Sequence, residues 1–143
     1  MTIALEQRIK NLEDRARLQE VITDYLIAVD DLTSVDNVLA CFTEDAVFDF
    51  SGINYPSIAG TAALREFFTG VFADMTHHAH YNTNFKVDEL SDDAAKCRCH
   101  VIGMGKTKAN QDVLFYLQYF LEYRRSGDTW KICRFASRPL MPI

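Results

Sequence analysis

Three of the chain's four histidines lie within ten residues, in the stretch MTHHAHYNTN at positions 75–84. Imidazole side chains can transfer protons near neutral pH, and they are also common metal ligands. If this stretch is a strand, its side chains alternate between two faces, so His77 lies opposite to His78 and His80. The face that includes His80 is predicted to carry His78, His80, Asn82 and Asn84. Burying such a polar row in a core would require a hydrogen bond for every group. We therefore interpret it as one wall of a wet pocket, and the alternative is a solvent-exposed strand face.

The fourth histidine, His100, follows on the next predicted strand, on the same face as Arg98 and Ile102. His78 and His80 form a His-x-His pair, to which His100 could add a third nitrogen ligand for a metal ion. These strands contain no Asp or Glu at a close companion spacing. We therefore rank a metal site below a metal-free proton-transfer site, and we expect neither a metal nor another cofactor.

Two aspartates, Asp30 and Asp31, directly follow the apolar run YLIAV at the end of a predicted helix. A carboxylate at this end faces the negative pole of the helix dipole, which is an unfavourable placement. One interpretation is that one of them lies beneath a histidine, where it orients the ring and stabilises the imidazolium. The other is that both simply prepare the next helix. The apolar periodicity does not choose between the two aspartates.

Three helices are predicted in the first half of the chain. Residues 9–29 carry apolar side chains at steps of three and four, which is typical of a helix with one buried stripe. Thr33 or Ser34 can cap a short second helix at residues 35–42. The third helix is predicted at residues 61–75, after a short strand at residues 46–50 and a loop.

After Met75 the apolar period changes to two, which predicts four strands separated by turn residues. Their expected ranges are residues 79–89, 95–106, 112–124 and 129–137. Three helices followed by a long, curved, mostly antiparallel sheet are typical of the α+β class. Such a sheet can wrap around the helices as a half-open cone with a pocket inside.

The composition sets limits on the function. The 143 residues are 48% hydrophobic, with ten Phe and six Tyr, so we expect residues 1–143 to form one globular domain. The net charge of −5 and the absence of a basic stripe exclude a nucleic-acid partner. No apolar stretch is long enough to span a membrane. The four cysteines show no disulfide spacing and no export signal is visible, so a cytoplasmic location is expected.

Four segments carry a family resemblance that covers residues 12–137: LQEVITDYLIAVD, FTEDAVFDF, HYNTN and EYRRSGDTWKI. Together they resemble the SnoaL-like branch of the nuclear-transport-factor-2-like superfamily, and within it hexachlorocyclohexane dehydrochlorinase and scytalone dehydratase most of all. LIAVD and HYNTN are the most specific segments, whereas the other two indicate only the fold. The resemblance implies a cone-shaped, cystatin-like α+β fold around an apolar pocket. It also implies a His–Asp dyad that couples proton abstraction to loss of a leaving group.

On this chain, the resemblance places the proton-abstracting histidine at His80 and its aspartate at Asp30. Counted back from Phe42, the loop is one residue longer than in the dehydrochlorinase pattern, which favours Asp31, so Asp31 is kept as the alternative. His100 falls at the position of a second pocket histidine in scytalone dehydratase. The dehydrochlorinase has an aspartate there, so at this position the chain looks more like the dehydratase.

Two positions depart from the dehydrochlorinase pattern. Its pocket lysine is matched approximately by Tyr25, and the cysteine two residues before its catalytic histidine is matched by His78. Without the lysine, elimination from a chlorinated cyclohexane is not expected. Tyr25 and Tyr55 would instead hold a carbonyl or hydroxyl group through water. The predicted substrate contacts are Tyr25, Asp31, Tyr55, His78, Asn84, Phe50, Phe68, Phe115 and Tyr119, the last four as pocket walls.

These observations lead to the hypothesis of a cofactor-independent lyase, most simply a dehydratase, that acts on a small apolar cyclic or aromatic-precursor molecule. His80 would take a proton from carbon, Asp30 would stabilise the resulting charge, and His100, with Tyr25, would donate to the departing oxygen. An isomerase or cyclase could use the same dyad, and a non-catalytic ligand-binding module could use the same fold. The strand at residues 112–124 is apolar on both faces, so one face is expected to line the pocket and the other a subunit interface. The resemblance favours a homotrimer, with a dimer as the alternative.

Overall fold

The computed structural model of the chain describes residues 3–142, and within them are three α-helices. They are α1 at Leu5–Asp31, α2 at Val35–Leu39 and α3 at Thr61–Asp74. In α1 the predicted apolar stripe, from Leu18 to Val29, is buried. Ser34 precedes α2, and its hydroxyl accepts a hydrogen bond from the backbone N–H of Asn37 at 3.3 Å, as expected for a capping residue.

Six strands form one sheet in the order β2-β1-β6-β5-β4-β3, which does not close. Their bounds are β1 at Phe42–Asp49, β2 at Ser57–Ala59, β3 at Met75–Leu90, β4 at Ala94–Thr107, β5 at Asp112–Ser126 and β6 at Thr129–Pro139. Strands β1 and β6 are parallel, and every other neighbouring pair is antiparallel. The predicted α+β class, with three helices packed on a mostly antiparallel sheet, is confirmed.

Several element bounds differ from the sequence-based expectation: α2 ends at Leu39 rather than at residue 42, and β1 begins at Phe42 rather than at residue 46. Strand β3 begins at Met75 rather than at residue 79, because α3 ends at Asp74 and the chain pairs with β4 at once. The polar run that opens β3 carries no apolar alternation, so the sequence did not mark this start. The predicted loop after β1 contains a 3-10 turn at Ser51–Ile53 and the short strand β2, which is too brief to show a periodic pattern.

An aromatic core fills the space between the helices and the inner face of the sheet. Phe135 of β6 lies at its centre, fully buried, and Phe48 and Phe50 stack with their ring centroids 4.1 Å apart. At the other end of the sheet, the buried carboxylate of Asp14 accepts hydrogen bonds from Arg125 and from Trp130 Nε1. These contacts fix α1 along the sheet, so the position of its last turn is determined by the packing of the helix from Asp14 to Val29.

No helix within residues 3–142 has both the length and the apolar character needed to cross a membrane.

Candidate active site

The central feature of the site is a hydrogen-bonding contact between Asp30 in the last turn of α1 and His80 on the inner face of β3. His80 Nδ1 lies 2.6 Å from Asp30 Oδ1, and the backbone N–H of His80 donates to Asp30 Oδ2 at 3.0 Å. The side chains are 16% and 28% exposed, so water screens the pair only in part. Both carboxylate oxygens therefore face one residue, which fixes the ring and directs Nε2 away from the aspartate.

Local structure explains why Asp30, and not its neighbour, reaches His80. Helix α1 continues through Asp31, and Leu32 ends it in the left-handed region at a φ of 55°. Successive side chains on a helix point about 100° apart, so only one of two adjacent aspartates can face β3. Asp31 is exposed and lies outside the cavity that His80 lines.

His78 lies beside His80 on the same face of β3. Its Nδ1 is 3.1 Å from the carbonyl oxygen of Val29, and the two imidazole rings meet edge to face with centroids 5.5 Å apart. Burial lowers the pKa of His78 below its usual value, and the nearby His80 lowers it further. Both histidines are thus tied through Nδ1 to the end of α1.

Two glycines of β4 lie opposite the two histidines. In the antiparallel pairing, Gly103 faces His80 and Gly105 faces His78. A Cβ atom on Gly103 would lie 3.1 Å from both Cδ2 and Nε2 of His80, and one on Gly105 would lie 3.0 Å from Cδ2 of His78. The missing side chains give the imidazole rings room to lie flat against the sheet.

The two histidines open on an apolar cavity of about 410 Å³ between α1, α3 and the sheet. Most of its walls are aliphatic or aromatic, and its polar lining residues include His78, His80 and Asp74, a composition typical of small-molecule sites. The residues that line it include Tyr25, Val29, Phe48, Phe50, Ile53, Tyr55, Phe67, Phe68, Val71, Phe115, Leu117 and Tyr119.

Two tyrosine hydroxyls add hydrogen-bonding groups to this cavity. Tyr25 and Tyr119 are 4% and 3% exposed, and burial is the main cause that raises the pKa of each phenol well above its usual value. Within residues 3–142, neither hydroxyl bonds to another protein group. Both remain protonated at neutral pH and are free to bind an oxygen atom of a ligand.

The structure brings together most of the predicted site residues. His80, His78, Tyr25 and Tyr55 line the cavity, and Asp30 lies directly behind His80. The four predicted walls, Phe50, Phe68, Phe115 and Tyr119, line it as well.

Three predicted residues do not belong to this site. The predicted position of Asn84 on the His80 face is wrong, because β3 bulges between Thr83 and Lys86 and Asn84 adopts a φ of 57°. His100 lies on the outer face of β4, between the buried Cys99 and Val101, with its Nδ1 3.3 Å from Asn84 Nδ2. Asp31 points away, as described above.

Several residues at the site were not predicted. Gly103 and Gly105 had a visible signal, since a glycine within a strand often marks a close approach. Asp74 and Met75 line the cavity where α3 turns directly into β3, a junction that the pattern did not place correctly. Phe67 and Val71 of α3 also line the cavity, and the apolar pattern of a helix does not distinguish cavity walls from core.

Among residues 3–142, no three His, Cys, Asp or Glu side chains are grouped so that they could hold a metal ion.

Comparison with known proteins identifies the family. The model of the SnoaL-like domain matches residues 10–136. The chain is 27% identical over 128 residues to gamma-hexachlorocyclohexane dehydrochlorinase of Sphingobium indicum, a match that covers 88% of this chain and 80% of that protein.

Two solved structures from Novosphingobium aromaticivorans are also similar. One, provisionally named an aromatic ring hydroxylase, is 48% identical with a TM-score of 0.89, and the match covers 92% of each chain. The other, provisionally named a scytalone dehydratase, is 23% identical with a TM-score of 0.83, covers 92% of this chain and 87% of its own, and shows the fold alone. Because the family model spans most of the sequence and the 48% identical structure covers nearly all of it, the chain belongs to the SnoaL-like domain family.

Proposed function

We propose that the protein is a cofactor-independent lyase that removes a proton from carbon in a small cyclic substrate and eliminates a hydroxyl group as water. The observation that carries this proposal is the 2.6 Å contact between His80 Nδ1 and Asp30 Oδ1 at the wall of an apolar cavity. A histidine oriented by a carboxylate is a general acid–base device that needs no metal.

In the proposed reaction, the neutral His80 accepts the substrate proton on Nε2. The electrons of the C–H bond form a carbon–carbon double bond while the neighbouring C–O bond breaks. The proton on His80 then passes to the departing hydroxyl, so one water leaves and the histidine is neutral again. Asp30 stabilises the imidazolium during this cycle, because its carboxylate lies within hydrogen-bonding distance of Nδ1.

Tyr25 and Tyr119 are the proposed donors to the substrate oxygen. Their hydroxyls stay protonated, and both reach the cavity that holds His80. Hydrogen bonds to a carbonyl or a departing hydroxyl stabilise the negative charge that develops there. This assignment replaces the role first given to His100, which lies on the opposite face of the sheet.

The names of the similar proteins support this choice of chemistry and substrate. The Sphingobium indicum relative is named for a dehydrochlorination, which is an elimination, and the 48% identical structure is named for an aromatic ring. Aromatic walls such as Phe50 and Phe68 suit a flat ring of that kind. An isomerase would use the same dyad and return the proton to a second carbon.

The test is a screen of hydroxylated cyclic ketones with purified protein, followed by mass spectrometry of the products. Elimination lowers the substrate mass by one water, isomerisation leaves it unchanged, and ring hydroxylation adds one oxygen. Loss of water that disappears in His80→Ala supports the proposal. Products of unchanged mass support the isomerase, and binding without turnover of any compound supports a ligand-binding module.

We also propose that the chain forms a homo-oligomer through the outer face of the sheet. On β4 and β5 this face exposes large apolar side chains, with Leu114 at 52%, Tyr116 at 42% and Phe120 at 40%. Apolar surface of this kind is typical of subunit interfaces. Light scattering of the wild type and of Tyr116→Arg tests it: the wild type should be oligomeric, and the variant should dissociate while keeping its helical circular dichroism. A monomeric wild type would contradict the proposal.

A further inference from the structure

We infer that His78 is a hydrogen-bond acceptor in the cavity and that it selects ligands carrying a hydroxyl or N–H donor next to the carbon that faces His80. The inference rests on the proposed function, because it takes the same cavity as the ligand site. It adds a requirement on the ligand that proton abstraction by His80 does not itself impose.

The first step is the tautomer of His78. Its Nδ1 lies 3.1 Å from the carbonyl oxygen of Val29, and a carbonyl oxygen can only accept a hydrogen bond. Nδ1 must therefore carry the proton, which leaves Nε2 with a lone pair in the neutral ring. Among residues 3–142, no group bonds to this Nε2, and the ring lines the cavity.

The second step is the charge of His78. Burial is the main cause that lowers the pKa of His78, and the charge of a protonated His80 lowers it further. The hydrogen bond to the Val29 carbonyl and the carboxylate of Asp30 act in the opposite direction but do not cancel the shift. The ring centroids are 5.5 Å apart, and the charge created on His80 during turnover acts at that short distance. His78 thus stays neutral, and its Nε2 keeps accepting while His80 is protonated.

The third step is the difference between the two histidines. Both are held through Nδ1 by the end of α1, but His80 has the carboxylate of Asp30 behind it and His78 has only a neutral carbonyl. The carboxylate stabilises a protonated ring, whereas a neutral carbonyl gives much less stabilisation. His80 is suited to take a proton, and His78 is suited to accept a hydrogen bond without taking the proton.

A ligand that spans both rings must therefore offer a carbon acid to one and a donor to the other. A phenol or a secondary alcohol meets the second part of this requirement, because its O–H can point to His78 Nε2 while its oxygen still accepts from a tyrosine. An ether or a simple hydrocarbon of the same shape leaves the acceptor of His78 unpaired on binding, which costs free energy.

The test compares binding of 2-naphthol and 2-methoxynaphthalene, measured by quenching of naphthalene fluorescence. The wild type should bind the naphthol about 10-fold more tightly, the size expected for one hydrogen bond in a partly buried site. His78→Phe keeps the ring shape without the acceptor, and in it the preference should fall to about 1. His77→Phe is the matched control, since His77 is exposed and outside the cavity, and it should keep the wild-type preference.

A second measurement needs no variant and so does not depend on the folding of His78→Phe. Correlation spectra of the ¹⁵N-labelled imidazoles should show His78 as the Nδ1–H tautomer at pH 7, with an Nε2 resonance that moves when 2-naphthol is added. An Nε2–H tautomer, or an unchanged naphthol preference in His78→Phe, would overturn the inference. Neither readout involves turnover, so a failure of the proposed elimination would leave both results interpretable.

Discussion

The two faces of β3 and β4 carry histidines in very different surroundings. On the inner face, His80 is 16% exposed and lies 2.6 Å from a carboxylate. On the outer face, the amide of Asn84 is the one hydrogen-bonding partner that His100 has among residues 3–142, and exposed apolar side chains such as Ile102 lie nearby. Both had been assigned catalytic roles from the sequence. They lie on two strands, β3 and β4, that pair with each other in the sheet.

The difference indicates that the proposed chemistry depends on the helix behind the strand rather than on the histidine alone. The end of α1 supplies a carboxylate to His80 and a carbonyl to His78. No corresponding helix covers the outer face of β4 within residues 3–142. On that face a histidine receives neither a carboxylate nor a carbonyl from a helix terminus to fix its ring.

The largest effect on activity is expected when each histidine is replaced in turn. We expect His80→Ala to lower kcat/KM for the elimination by about 10²- to 10⁴-fold, because the general base is lost. His100→Gln is the control and should stay within about 2-fold of the wild type, since it does not reach the cavity. Steady-state kinetics on the substrate found by the product screen measure both. A larger loss of kcat/KM in His100→Gln than in His80→Ala would contradict the assignment of the general base to the inner face.

The next test removes the charge behind the inner histidine. Asp30→Asn keeps the shape of the side chain but no longer stabilises the imidazolium, so we expect kcat to fall by about 10²-fold. Asp31→Asn is adjacent and exposed, and it should leave kcat unchanged. The pair separates the two aspartates that the sequence could not distinguish. Equal losses in both variants would mean that the effect comes from the helix terminus and not from the His80 contact.

A smaller change sharpens the comparison by moving the ring instead of removing it. In Gly103→Ala the added Cβ would lie 3.1 Å from His80 Nε2, and the ring cannot retreat without stretching its bond to Asp30. We expect kcat/KM to drop by about 10-fold with little loss of stability. Ile102→Ala changes the neighbouring residue on the outer face and should have little effect on kcat/KM. A fully active Gly103→Ala would show that the position of Nε2 is not critical.

The smallest expected effect is on stability as a function of pH. The pKa of His78 is lower in the folded chain than its usual value near 6.5, so between these two values the unfolded chain binds more protons. The contribution of the neutral His78 to the free energy of unfolding is therefore complete above pH 6.5. This contribution decreases as the pH falls below that value. The free energy of unfolding, measured with urea, should decrease more between pH 7.5 and pH 5.5 in the wild type than in His78→Phe. An equal loss in both would mean that His78 does not titrate as its burial requires.

The amino-acid sequence was sufficient to predict the fold class and the buried stripe of α1. These depend on periodic burial of large apolar residues, which is visible in the letters themselves. The choice of Asp30 over Asp31 was not visible, because it depends on the angle at which α1 passes β3 and on where Leu32 ends the helix. A one-residue bulge in β3 places the side chain of Asn84 on the opposite face from the predicted one. A prediction that assumes strict alternation of faces cannot detect such a bulge.

The face of His100 was misjudged for a related reason. Sequence spacing placed His100 with Arg98 and Ile102 on one face, and the structure keeps these three together. What spacing could not give was which face of β4 continues the His80 side of β3, because that depends on the register between the strands. In the structure His80 pairs with Gly103, so the odd-numbered residues of β4 face the cavity and His100 does not.

The most direct test of the central claim is proton exchange at carbon, since it requires neither the natural substrate nor a leaving group. 2-Tetralone, a small bicyclic ketone, is incubated with the protein in D₂O, and loss of its α-hydrogen signal is followed by NMR. We predict that the wild type and His100→Gln accelerate exchange above the buffer rate and that His80→Ala does not. Exchange at the same rate in the wild type and His80→Ala would contradict the assignment of His80 as the base.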